Sequence, residues 1–90
     1  MYKKKGSYCR ETPSGNPVIQ NLNGQAYEVS YVAAFIWDKL DGKTSLNEVE
    51  EEIFKHGDMS KDKLRAKVKN ILTELEKVAL LSSESHEVSN

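Results

Sequence analysis

The residue types that carry covalent or metal chemistry are sparse in this sequence. It holds one cysteine, Cys9, and two histidines, His56 and His86. Nothing in their positions matches the ligand spacing of a zinc site. A glycine-rich phosphate loop, a nucleophile elbow and an HExxH segment are all missing. The acidic residues bunch at Glu48, Glu50, Glu51 and Glu52, but neighbours such as Glu50 and Glu51 do not face each other on a helix and cannot share a proton. We therefore expect no catalytic residue, no metal and no cofactor. The chain reads as a binding domain rather than an enzyme.

The other chemistry on offer is charge. Lys61, Lys63, Arg65, Lys67 and Lys69 crowd one segment. On a helix, Lys61, Arg65 and Lys69 fall on one flank of an apolar stripe, beside Leu72, and Lys63 and Lys67 on the other. Such a basic rim could hold an acidic peptide or a phosphate backbone, or be a solvated face partly paired by Glu74 and Glu76. Over the whole chain, 13 basic and 14 acidic residues leave a net charge of −1, which gives no general pull toward nucleic acid or an anionic membrane. A lone cysteine suits a reducing compartment, so a cytoplasmic location is expected. Apolar runs stay well short of the ~18 residues needed to span a bilayer.

The elements that position these groups divide into two styles. Residues 8–30 read as strands. Asn23-Gly24 is a strong hairpin signal, since a type I′ turn needs positive φ at both positions. A two-residue loop there sets Leu22 opposite Gln25, Gln20 opposite Tyr27 and Val18 opposite Val29. Val18, Leu22, Tyr27 and Val29 then share one face, and Ile19, Asn21, Ala26 and Glu28 the other. The turn cluster Pro13-Ser14-Gly15-Asn16-Pro17 links this hairpin to an earlier strand near Tyr8 to Thr12.

Residues 31–81 read as three helices. Ser30 caps the first, whose inward stripe is Val32, Ala33, Ile36, Trp37 and Leu40. Ser45 and Glu48 form a capping box at the start of the second, which turns Leu46, Val49 and Ile53 inward. Ser60 caps the third, with Leu64, Val68, Ile71, Leu72, Leu75 and Val78 on its apolar side. Residues 1–7 form a flexible polar lead, and residues 82–90 a tail too polar to offset the entropy of ordering. The expected fold is α+β: a three-stranded antiparallel meander followed by three α-helices.

The stretch Tyr27 to Val49 resembles the PqqD-like family, the peptide recognition elements of ribosomally synthesised, modified peptides. The resemblance rests on Ile36-Trp37, Leu40, Asp41-Gly42, Ser45-Leu46 and Glu48-Val49. The family's third helix ends in Leu-x-x-x-Gly-Leu; here Leu75 to Leu80 is similar, with Ala79 in place of the glycine. The resemblance covers about residues 8–81. It implies a winged-helix-like fold, no catalysis, and capture of a precursor peptide's leader as an extra strand. It also implies a separate modifying enzyme as partner, typically a radical S-adenosylmethionine maturase.

In a three-strand meander the last strand has one unpaired edge, which offers backbone donors and acceptors to an extended peptide and is equally open to solvent or to pairing in a dimer. The expected peptide site is therefore Gln25, Ala26, Tyr27, Glu28 and Val29, with Arg65, Lys69 and Leu72 from the third helix. A small winged-helix DNA-binding regulator, reading through the third helix, is the alternative, and a structural adaptor that binds its enzyme but no peptide is a third reading. The acidic second helix and the net charge weigh against nucleic acid.

Overall fold

The computed structural model describes residues 2–83. Its elements run β1 (Tyr2–Lys4), β2 (Ser7–Glu11), β3 (Pro17–Gln20), β4 (Ala26–Glu28), α1 (Tyr31–Lys39), α2 (Leu46–His56), α3 (Lys61–Lys77) and β5 (Leu81–Ser83). Strands β2, β3 and β4 form the antiparallel meander expected from the sequence, and the three helices follow. No described helix is long and apolar enough to cross a membrane.

The hairpin differs from expectation by one residue. Its pairs are Gln20 with Ala26, Ile19 with Tyr27, and Val18 with Glu28. Asn21 N–H donates to the carbonyl of Gln25 (2.8 Å), and Gly24 N–H to that of Asn21 (3.1 Å). The loop therefore has three residues, Leu22, Asn23 and Gly24, with the left-handed φ of +89° confined to Gly24. This is a turn closed by a glycine bulge, the next commonest hairpin after the two-residue kind. The added residue reverses which side chains of β3 share a face with Tyr27 and Val29. Ile19, fully buried, takes the place beside Tyr27 and Val29 expected for Val18, which is nevertheless buried too, while Leu22 lies exposed at the loop tip. Asn21 also points inward. Its Oδ1 accepts from Asn23 and Gln25 N–H, and its Nδ2 donates to Val78 O at 2.9 Å and Gln25 Oε1 at 3.2 Å. That side chain selects the longer loop and fastens the hairpin to the end of α3, with every polar atom partnered.

Inward residues of all three helices join one core: Ile36, Trp37 and Leu40 from the α1 segment, Val49 from α2, and Leu64, Val68, Leu72 and Leu75 from α3. The caps are those expected. Ser30, Ser45 and Ser60 each accept from the third backbone N–H of their helix, and Glu48 returns a bond to Ser45 N–H at 2.9 Å. Asp41 organises the α1–α2 turn by accepting from Lys43 and Thr44 N–H, and those bonds hold its carboxyl below the ordinary 3.8.

The chain ends depart from expectation. Tyr2–Lys4, read as part of a flexible lead, pairs antiparallel with Leu81–Ser83. The indole N–H of Trp37 explains this closure. It donates to Lys5 O (3.1 Å) and Leu80 O (2.9 Å), fastening both segments over the core. Lys5 N–H adds a bond to Leu80 O, and Lys4 N–H one to Leu40 O. At Gly6, where φ is +89°, a β-carbon would collide with the Gln20 backbone, so only glycine lets the chain turn from β1 into β2 there. The rest of the expected tail, residues 84–90, lies outside the described residues.

At the far end of α3, Ala79 adopts φ +61°. Leu80 N–H bonds Leu75 O and Ala79 N–H bonds Glu76 O. These two bonds define a Schellman cap with alanine in the position glycine usually takes.

Candidate functional site

The meander has two edges, and they are not equivalent. On β2 the register shifts between Tyr8 and Arg10, so Cys9 bulges out of the ladder. Such a bulge blunts an edge against further pairing. The β4 edge is regular. Val29 N–H donates to Pro17 O (2.9 Å), and Gln25 O accepts from Asn21 N–H. Residues 25, 27 and 29 thus direct their main-chain groups toward β3. By the alternation of an antiparallel ladder, Ala26 and Glu28 direct theirs to the open side.

Side chains alternate in the opposite sense. Tyr27 and Val29 point inward, half-buried against the core. Ala26 and Glu28 face away, and the Glu28 carboxylate accepts from Asn16 Nδ2 at 2.7 Å. Between the β4 edge and α3 lies a groove of about 380 Å³. Tyr27, Val29 and Ala33 line one wall, and Asn70, Ile71, Glu74, Leu75 and Val78 the other. Leu75 is buried in its floor and Ile71 half-buried. The bond from Asn21 to Val78 sets the directions: the hairpin end of β4 lies by the C-terminal end of α3. A strand edge with no partner among the described residues, lying beside an apolar trough, can accept an extended peptide, its backbone paired to β4 and alternate side chains turned toward α3.

Of the expected site residues, Ala26, Tyr27, Glu28 and Val29 meet at this edge, and Gln25 closes the hairpin just beyond it. The three expected from α3 do not join them. Leu72 is only 4% exposed and belongs to the core. Arg65 pairs with Glu50 at 3.8 Å. Both line a different groove with Lys69, formed by α2, α3 and Tyr2. Helical periodicity marks the apolar stripe of α3 but not which of its two borders faces β4. Asn70, Glu74 and Val78, one helical row at i, i+4 and i+8, form the border that faces the edge. Only the docking of Asn21 on Val78 discloses this, because both flanks of the stripe look alike in sequence. Among the described residues, no three histidine, cysteine, aspartate or glutamate side chains converge closely enough to hold a metal ion.

Comparison with known proteins agrees with this architecture. A solved structure of TbiB1 in complex with the TbiA(beta) leader peptide is similar to it, with a TM-score of 0.72 over 92% of this chain and 98% of that one, at 15% sequence identity. At that identity the likeness bears on the fold. No curated protein sequence matches the chain. The sequence profile of the family described as coenzyme PQQ synthesis protein D matches residues 11–81, from the last residue of β2 to the first of β5. Spanning most of the chain in that way, the match establishes that this protein belongs to the PqqD family.

Proposed function

We propose that this protein captures the leader segment of a precursor peptide by strand addition to β4 and presents it to a separate modifying enzyme. The observation that carries the proposal is the regular open edge at Ala26 and Glu28 beside the trough floored by Ile71 and Leu75. Backbone pairing supplies affinity that depends little on sequence, and the trough supplies selectivity. The protein itself catalyses nothing in this reading. It works in the cytoplasm with the enzyme that alters the peptide, a radical S-adenosylmethionine maturase being the expected partner. The TbiB1 fold, seen with a leader peptide bound, supports the assignment.

The peptide contacts expected from the geometry are Ala26, Tyr27, Glu28 and Val29 on the strand side. Asn70, Ile71, Glu74 and Val78 replace Arg65, Lys69 and Leu72 on the helix side. Amide chemical-shift mapping tests this with a synthetic peptide encoded by a short reading frame beside the gene. Shifts should concentrate at residues 25–30 and 70–78. A peptide that binds while those residues stay silent, and shifts instead the groove of Arg65 and Lys69 or the β2 edge, refutes the proposed site.

A further inference from the structure

The walls of the β4–α3 groove have nearly matched repeats. Along α3 and its C-cap, Asn70, Glu74 and Val78 recur every four residues, about 6 Å apart. In a strand paired to β4, side chains on one face recur every two residues, about 6.7 Å apart. Successive inward side chains of a bound peptide therefore fall beside successive rows of the helix: one by Asn70 and Ile71, the next by Glu74 and Leu75, the next by Val78. The middle row is chemically distinct. Glu74 is exposed at the rim. The ion pairs among the described residues are Lys4–Asp38, Lys61–Glu51 and Arg65–Glu50, and Glu74 belongs to none of them. Glu28, the other carboxylate along the groove, is turned to Asn16 and Thr12 on the opposite face.

We infer that the groove selects a peptide segment with lysine or arginine at the middle inward position and apolar side chains two residues to either side. This rests on reading the groove as the peptide site. The long methylene stem of such a residue suits the apolar floor, with Tyr27 across from it, while the charged head reaches the rim. There Glu74 meets it as a carboxylate that has no partner within the described chain. A glutamate or aspartate at that peptide position would face Glu74 across the same trough and be rejected. The rows on either side, Ile71 with Asn70 and Val78, favour aliphatic side chains.

The test is selection from a library of random twelve-residue peptides displayed on phage, panned against the full chain and against Glu74→Lys and Glu74→Gln. The wild-type protein should enrich a basic residue flanked at −2 and +2 by apolar residues. Glu74→Lys should enrich an acidic residue there, and Glu74→Gln should lose the charge preference. For one enriched sequence, fluorescence anisotropy should show the lysine form binding about three- to tenfold tighter than its glutamate counterpart at moderate salt. The ratio should shrink as salt rises. Because residue 74 is exposed, circular dichroism melts of the variants should overlay the wild type. Enriched peptides that shift the amides of Ala26–Glu28 and of residues 70–78, yet show no basic preference or none that follows residue 74, overturn this inference and leave strand addition standing. Failure to enrich any peptide, or binding that maps elsewhere, overturns both.

Discussion

Proline at position 26 tests strand addition with little disturbance of the fold. Ala26 is exposed, its side chain is small, and its N–H points away from β3 by the alternation of the ladder. Ala26→Pro therefore removes no intramolecular backbone bond, and proline is tolerated on an edge strand when its missing N–H faced solvent. We expect stability to change by less than about 1 kcal/mol. Binding should respond more strongly. The open edge presents the main-chain groups of only two residues, Ala26 and Glu28, so one of two donors is lost. At ~0.5–1.5 kcal/mol for a net hydrogen bond, Kd should rise about two- to twelvefold, and the ring's intrusion on the incoming strand adds to that. Tyr27→Pro provides the contrast. Its N–H belongs to the β3 ladder and its ring packs on the core, so it should destabilise the domain by ~3 kcal/mol or more. Urea denaturation and calorimetric titration with a bound leader peptide separate the two effects. If Ala26→Pro stays folded and binds the peptide as wild type does, the peptide does not pair with this edge.

Further outcomes follow from other parts of the structure. Ala79→Gly should stabilise the domain by ~0.5–1 kcal/mol, because relief of the left-handed alanine outweighs the extra freedom of the unfolded chain; an unchanged or lower melting temperature would contradict the Schellman cap seen at residues 75–80. Trp37→Phe keeps most of the ring but deletes the indole N–H shared by Lys5 O and Leu80 O, a loss of ~1–3 kcal/mol. Trp37→Ala should cost ~3–5 kcal/mol. Hydrogen exchange should show β1 and β5 losing protection first in the phenylalanine variant, and uniform loss would argue against its role in closing the chain ends. Leu72→Lys should unfold the domain, since it places a charge in the core, whereas Ile71→Ala should fold and bind peptide several-fold more weakly; the reverse ranking in circular dichroism and titration would restore Leu72 to the site.

What the sequence determines by itself is local. Ser30, Ser45 and Ser60 cap helices because their hydroxyls reach backbone donors within the same turn, and Glu48 completes its capping box three residues away. The stripe of Leu64, Val68, Leu72 and Leu75 lies within one helix, so periodicity alone reveals the buried side of α3. The meander is legible for the same reason, since its turns and alternation act over a few residues.

Tertiary structure decided the rest, and in each case the deciding contact joins distant residues. The hairpin register turned on Asn21, whose amide is satisfied by a longer loop and by Val78, 57 residues away. A two-residue loop suits Asn23-Gly24 equally well when the hairpin is considered alone. The β1–β5 pairing depends on Trp37 holding carbonyls from both ends of the chain, and nothing in Tyr2–Lys4 signals a strand without them. The helix side of the groove beside β4 followed from that same Asn21–Val78 bond. An apolar stripe has two borders, and helical periodicity treats them alike. Which border meets β4 is a matter of how the sheet docks, and that is set by bonds between elements rather than by the pattern within either one.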